Sequence, residues 1–297
     1  MCVSSDDGTR TSAALFSGRI AFMSRAQHLL DAVSLGIDEI GFQAHGVHVR
    51  VGDDAAERRW TTEAREEIHS VAKAVAVLAV GIARDEGIFD PDAVVAHDYT
   101  TRDLLTMTSG VDFPWSPTMF DDHDDVAREF RSRPTSGRVF QYANASTYTA
   151  LRELAAVTGD VSEWLRPRLF DPLGWHDVMW RRCPRGHVLA GEGLALTTEE
   201  LSRLGVLIRN RGTYDGRRIV AGDWTERMHS DWFSTGGEAA GYGGYAMAGW
   251  RGPGEAWRLH GAGGQLVIFA GDAVITITAD DHFRADAVTA MAVAAAG

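Results

Sequence analysis

The longest apolar stretch of the chain, Ala74-Val75-Ala76-Val77-Leu78-Ala79-Val80-Gly81-Ile82-Ala83, has no polar position in it. A helix that is apolar all round belongs in a core and not on a surface. The stretch follows directly on Glu66-Glu67-Ile68-His69-Ser70-Val71-Ala72-Lys73. The pattern therefore predicts one buried helix, stopped by Gly87, with Ser70 and Lys73 in its first turn. Upstream, Ser24 caps a predicted helix through Leu29, Leu30, Val33 and Leu35 that ends at Gly36. Val47, Val49 and Val51 alternate with His48 and Arg50, which reads as a strand with one face buried. Gly52-Asp53-Asp54 is then a turn, with a return strand toward Trp60.

The middle of the chain reads as helical. Residues 99–110 form a short capped helix and turn, and residues 111–118, with Pro114, Trp115 and Pro117, form a loop. Asp121-Asp122-His123-Asp124-Asp125 reads as a solvated acidic start to a helix over 126–130, because a calcium loop needs wider ligand spacing. Further helices are predicted over 146–157, closed by Gly159, and over 162–170, ended by Asp171-Pro172-Leu173-Gly174. Thr198-Glu199-Glu200-Leu201 caps another through Ile208. From Tyr242 the pattern changes to four short strands, 245–250, 256–260, 266–270 and 273–279, the last two joined by Gly271-Asp272. An alanine-rich helix closes the chain after Phe283.

Strands at both ends and helices between them give an α/β protein of the α+β kind. One antiparallel sheet is built from both termini and flanked by helices, with a helical insertion. We divide it into a flexible arm over 1–18, a sheet part over 19–61 and 190–297, and a mainly helical part over 62–189 that carries Ser70, Lys73 and Tyr142. A pocket is expected where the two parts meet.

Composition narrows the function classes. The 297 residues are 45% hydrophobic and 24% charged, as in an ordinary globular protein. The 29 Lys and Arg against 41 Asp and Glu leave a formal charge of −12, which argues against nucleic acid and anionic membranes as partners. Two cysteines, Cys2 and Cys183, exclude a disulfide framework. With no signal-like or membrane-spanning apolar run, the expected location is the cytoplasm.

Ser70 and Lys73 supply the candidate chemistry. Residues three apart on a helix are neighbours, and a helix start adds free N–H groups and partial positive charge. A hydroxyl, an amine and an anion-friendly end are what acyl transfer through a serine nucleophile needs. His69 is not the partner, since adjacent helix residues point about 100° apart. A second group, Tyr142-Ala143-Asn144, could present a phenol to the nucleophile, with Asn144 bonding substrate or Lys73. Trp115 is placed at the cleft mouth.

Taken together, Ser70-Val71-Ala72-Lys73, Thr101-Arg102-Asp103-Leu104-Leu105-Thr106-Met107-Thr108-Ser109-Gly110, Tyr142-Ala143-Asn144 and Asp171-Pro172-Leu173-Gly174 occur in an order that resembles the class C β-lactamase, penicillin-binding-protein and esterase superfamily of serine hydrolases. Ala190-Gly191-Glu192-Gly193-Leu194, Thr197-Thr198-Glu199-Glu200-Leu201 and Arg211-Gly212-Thr213-Tyr214-Asp215-Gly216-Arg217 extend the resemblance over roughly residues 40–280. It implies Ser70 as nucleophile, Lys73 and Tyr142 sharing the general-base role, and the Ser70 N–H as one oxyanion donor. No cofactor and no metal are expected.

The departure lies at Leu259-His260-Gly261-Ala262-Gly263-Gly264-Gln265, where the family's Lys-Thr-Gly strand motif should fall and no Lys stands. Aligned on the glycines, Leu259-His260-Gly261 takes that place and Ala262 is the second oxyanion donor. Shifted by one residue, His260 stands opposite the Lys and Gly263 is the donor. His260, Gly261 and Asn144 are then substrate-binding candidates. The run looks more like the family's ester and amide hydrolases, including those acting on nylon-type linear amide oligomers. The expected function is a serine hydrolase or acyltransferase on small esters or amides. The alternatives are a β-lactamase or D-amino-acid peptidase, and a non-catalytic binding member of the same fold.

Overall fold

In the computed structural model, which describes Met1 and residues 23–237 and 242–297, an antiparallel sheet is assembled from the two ends of the chain. Apart from Met1, the arm expected over 1–18 lies outside the described residues. The sheet strands are β1 (Ala44–Val51), β2 (Asp54–Arg59), β3 (Phe233–Ser234), β4 (Gly244–Ala246), β5 (Gly249–Arg251), β6 (Trp257–His260), β7 (Leu266–Ala270) and β8 (Ala273–Ala279). Their spatial order is β3-β4-β5-β6-β7-β8-β1-β2, so β1 is interior. The longer helices are α1 (Arg25–Ile40), α2 (Ala72–Asp85), α3 (Asn144–Thr158), α4 (Thr198–Arg209) and α5 (Ala285–Ala296). This is the expected architecture, a sheet from both termini flanked by helices.

The sheet separates two cores. Val47 and Val49 of β1 pair with Ile277 and Ile275 of β8, and that face packs on Leu30, Val33 and Ile37 of α1 and Val288 of α5. The expectation of a single buried face on β1 is corrected, since His48 on the opposite side is also buried. That face lies under α4, which can approach because Gly205 has no side chain. A Cβ there would stand 2.6 Å from a Val274 methyl. The larger core continues from this face into α2, α3 and α4.

Several boundaries move, each for a local reason. Ser24 does cap α1, accepting from the Gln27 N–H, but the helix runs past Gly36 to Gly41, whose φ of 70° ends it. Gly36 instead lets the Met291 side chain of α5 lie against α1. α3 begins at Asn144, two residues before the expected start. Thr197, not Thr198, caps α4, in a reciprocal box with Glu200. Residues 245–250 are a hairpin and not one strand, because Met247 and Ala248 at φ 36° and 78° turn the chain between β4 and β5.

The helix read as apolar all round is buried at every position from Ala72 to Ala83. Burying each Val or Leu contributes about 1.5–3 kcal/mol, so α2 is anchored along its length. Its start differs from the expected one. Glu66–Glu67 pair with Ala195 and Leu196, the Ile68 N–H donates to Leu194 O at 2.9 Å, and His69 turns the chain at φ 47°. A 3₁₀ turn, His69–Val71, then precedes the α-helix at Ala72. Ser70 sits on that turn, two residues ahead of the helix. Among the described residues no helix is long and apolar enough to cross a membrane.

Candidate active site

Lys73 is the buried centre of the site, 2% exposed in the first turn of α2. Its Nζ lies 2.8 Å from Ser70 Oγ, 2.6 Å from Asn144 Oδ1 and 3.0 Å from Gly191 O. No carboxylate among the described residues forms an ion pair with it. The orientation of Asn144 is settled by its other side, where Nδ2 donates to Glu192 Oε2 at 2.9 Å. Three separate segments thus converge on one amine: the nucleophile turn, the start of α3 and the loop at 191–192.

The end of β6 closes on the same turn. A Cβ on Gly261 would stand 2.6 Å from Ile68 O, so only glycine allows this strand end to meet the backbone just before Ser70. The Gly263 N–H donates to Gln265 Oε1 at 3.0 Å, and Gln265 is itself held by Ala279 O at 2.8 Å. Gly263 therefore has no free donor. The amides of Ser70 and Ala262 have no acceptor among the described residues, and both residues line one pocket. Of the two registers left open by the sequence, the one with Ala262 has the available N–H.

That pocket, about 170 Å³, is lined by Ser70, Tyr142, Tyr242, Trp250, His260, Gly261, Ala262 and His282. Tyr142 is 36% exposed, with its ring centre 4.9 Å from Lys73 Nζ. Its hydroxyl makes no hydrogen bond to Ser70 or Lys73. His260 is 8% exposed, and its Nδ1 is 2.7 Å from the Tyr242 hydroxyl. Burial, helped by nearby Arg258, pushes its pKa down to about 3, so the imidazole is neutral at physiological pH. It does not replace the positive charge of a lysine.

The structure brings Ser70, Lys73 and Asn144 into contact and sets Tyr142, His260, Gly261 and Ala262 around the pocket. Trp115 does not belong there. It is 59% exposed and lines no part of the pocket, where the tryptophan is Trp250. His69 points to Glu67, with Nδ1 3.6 Å from Oε1. Glu192, Tyr242, Trp250 and His282 were not singled out in the sequence. Glu192 lay inside a recognised segment without a role, Trp250 read only as the end of a strand, and Tyr242 only marked where the pattern changes. A larger cavity of about 550 Å³ near Tyr148 and Cys183 contains none of these groups. Among the described residues no group of three or more His, Cys, Asp or Glu is placed to hold a metal ion.

With this geometry in hand, the chain can be set beside known proteins. A candidate 6-aminohexanoate-dimer hydrolase from Bacillus anthracis superposes with a TM-score of 0.71 at 18% identity, covering 89% of this chain and 81% of that one. A penicillin-binding protein homologue from Caulobacter crescentus gives 0.72 at 16%, covering 92% and 97%. A family VIII carboxylesterase gives 0.70 at 14%, covering 91% and 96%. At such identities these likenesses establish the shared β-lactamase-like fold. No curated protein matches the chain in sequence. The Beta-lactamase family model, however, matches residues 31–295, nearly the whole chain, and the protein therefore belongs to the beta-lactamase family.

Proposed function

We propose that the protein is a serine hydrolase that cleaves small ester or amide substrates through an acyl-enzyme on Ser70. Transfer of the acyl group to a nucleophile other than water is the same chemistry with a different acceptor. The observation that carries this reading is the 2.8 Å contact of Lys73 Nζ with Ser70 Oγ, made while Asn144 Oδ1 and Gly191 O occupy the other polar contacts of the amine. Those two carbonyl oxygens each take one N–H. In the reactive, neutral form the lone pair of the amine faces the serine hydroxyl and accepts its proton.

Ser70 Oγ then bonds to the substrate carbonyl carbon. The oxyanion that forms is received by the N–H groups of Ser70 and Ala262. Collapse breaks the bond to the leaving oxygen or nitrogen. Tyr142, beside Lys73 on the pocket wall, gives its phenolic proton to that leaving group and is reprotonated by the Lys73 ammonium, which returns to its neutral form. Water then adds to the acyl-serine carbonyl, losing its proton to Lys73; the bond from carbonyl carbon to Ser70 Oγ breaks as Lys73 returns that proton to Oγ, which frees the acid and regenerates Ser70. Glu192 holds the Asn144 amide with its oxygen toward Lys73.

The fold family and its ester- and amide-cleaving relatives support a small-molecule substrate. Steady-state hydrolysis of p-nitrophenyl butyrate and of the matching anilide tests the reading. Turnover of at least one is expected, and Ser70→Ala should reduce it to the buffer rate. Turnover that survives Ser70→Ala would place the nucleophile elsewhere. A folded protein inert toward both, and toward a chromogenic cephalosporin, would favour a non-catalytic binding role.

A further inference from the structure

Among the described residues, the lining of the Ser70 pocket contains no Lys, Arg, Asp or Glu. Lys73 does not line it, and the polar contacts of its amine are all made inside the chain. Arg258, whose guanidinium lies 4.8 Å from the Tyr242 ring centre, is held by Asp286 at 2.6 Å and does not line the pocket either. A carboxylate entering the pocket would shed water and, among the described residues, find no lysine or arginine to pair with, only the exposed His282 imidazole at the rim, which is unfavourable.

The walls are aromatic and mutually braced. The Trp250 ring centre is 5.5 Å from that of Tyr142, 5.0 Å from Tyr242 and 4.8 Å from Tyr245. The last two contacts are edge-to-face, the arrangement that aromatic quadrupoles favour. Trp250 is also fixed by its backbone, since it pairs with Tyr245 on one side and Arg258 on the other. The wall is therefore set before substrate arrives. The space of about 170 Å³ is well below the usual range of drug-sized ligand pockets.

We propose that this pocket is the acyl-chain subsite and that Trp250 is its specificity-determining wall. The substrates are esters or amides of short, uncharged, apolar acyl groups, and acyl groups ending in a carboxylate are rejected. The assignment rests on the Ser70 acyl-enzyme reading above.

The test is kcat/KM on p-nitrophenyl acetate, butyrate, hexanoate, octanoate and decanoate, together with the mono-p-nitrophenyl ester of glutaric acid. The value is expected to peak at butyrate or hexanoate and to fall by about tenfold or more at decanoate, as an overfilled apolar pocket requires. The glutarate ester should be slower than butyrate by about 100-fold. Trp250→Ala and Trp250→Leu, each checked for a cooperative melt, should move the optimum to longer chains. A flat chain-length profile, an optimum unmoved in both folded variants, or a glutarate ester as good as butyrate would overturn the subsite. If Ser70 still takes a fluorophosphonate adduct in that case, the failure belongs to the subsite alone. If it takes none, the Ser70 reading fails with it.

Discussion

Replacing Lys73 with alanine is expected to lower kcat on a small ester by about 10³-fold or more, near the upper range for loss of a general base, with a much smaller change in KM. The side chain touches Ser70, Asn144 and Gly191 and does not line the pocket, so its loss acts on the chemical step more than on binding. Stopped-flow acylation with p-nitrophenyl butyrate separates the two. Tyr142→Phe should cost less than Lys73→Ala, because the phenol hydroxyl is bonded to neither Ser70 nor Lys73. A Lys73→Ala enzyme that keeps a tenth or more of wild-type kcat would show that the base is another group.

Acid is expected to destabilise the fold well before the carboxylates titrate. Burial, with Arg50 nearby, pushes the His48 pKa down to about 4, and burial with Arg258 takes His260 to about 3. Unfolded, both imidazoles bind a proton below about pH 6.5. Between these values the unfolded chain holds more protons than the folded one, so stability is full above about pH 6.5 and falls as pH drops. At about 1.4 kcal/mol per unit, each histidine removes on the order of 3–5 kcal/mol by pH 3. Urea midpoints at pH 7, 5.5 and 4 should decline steadily, and His48→Gln should flatten the decline. Equal midpoints from pH 7 to pH 4, or an unchanged slope in His48→Gln, would contradict this.

What could be read from the sequence was local. The apolar run of α2 and the Ser70–Lys73 spacing need only neighbouring residues, and both survive into the fold, although the positive φ at His69 puts Ser70 on a 3₁₀ turn and not on the helix. The alternation of Val47, Val49 and Val51 identified a strand but not its interior position, which depends on β8 and β2 pairing on either side. The parts that stayed hidden come from distant segments. Glu192 matters only because Asn144 reaches it, and Trp250 only because a two-residue turn at Met247 and Ala248 folds it beside Tyr142. The third motif is ambiguous by one residue in the sequence, because nothing local shows that the Gln265 side chain takes the Gly263 amide. Trp115 was misplaced because a tryptophan in a loop carries no signal of which way the loop faces.

The central claim is a covalent acyl-enzyme on Ser70. Intact-mass spectrometry after treatment with a fluorophosphonate probe tests it most directly. One phosphonyl adduct is predicted, mapped to the peptide containing Ser70, absent in Ser70→Ala and formed much more slowly in Lys73→Ala. An adduct on another residue, or none on wild-type protein that melts cooperatively, would contradict it.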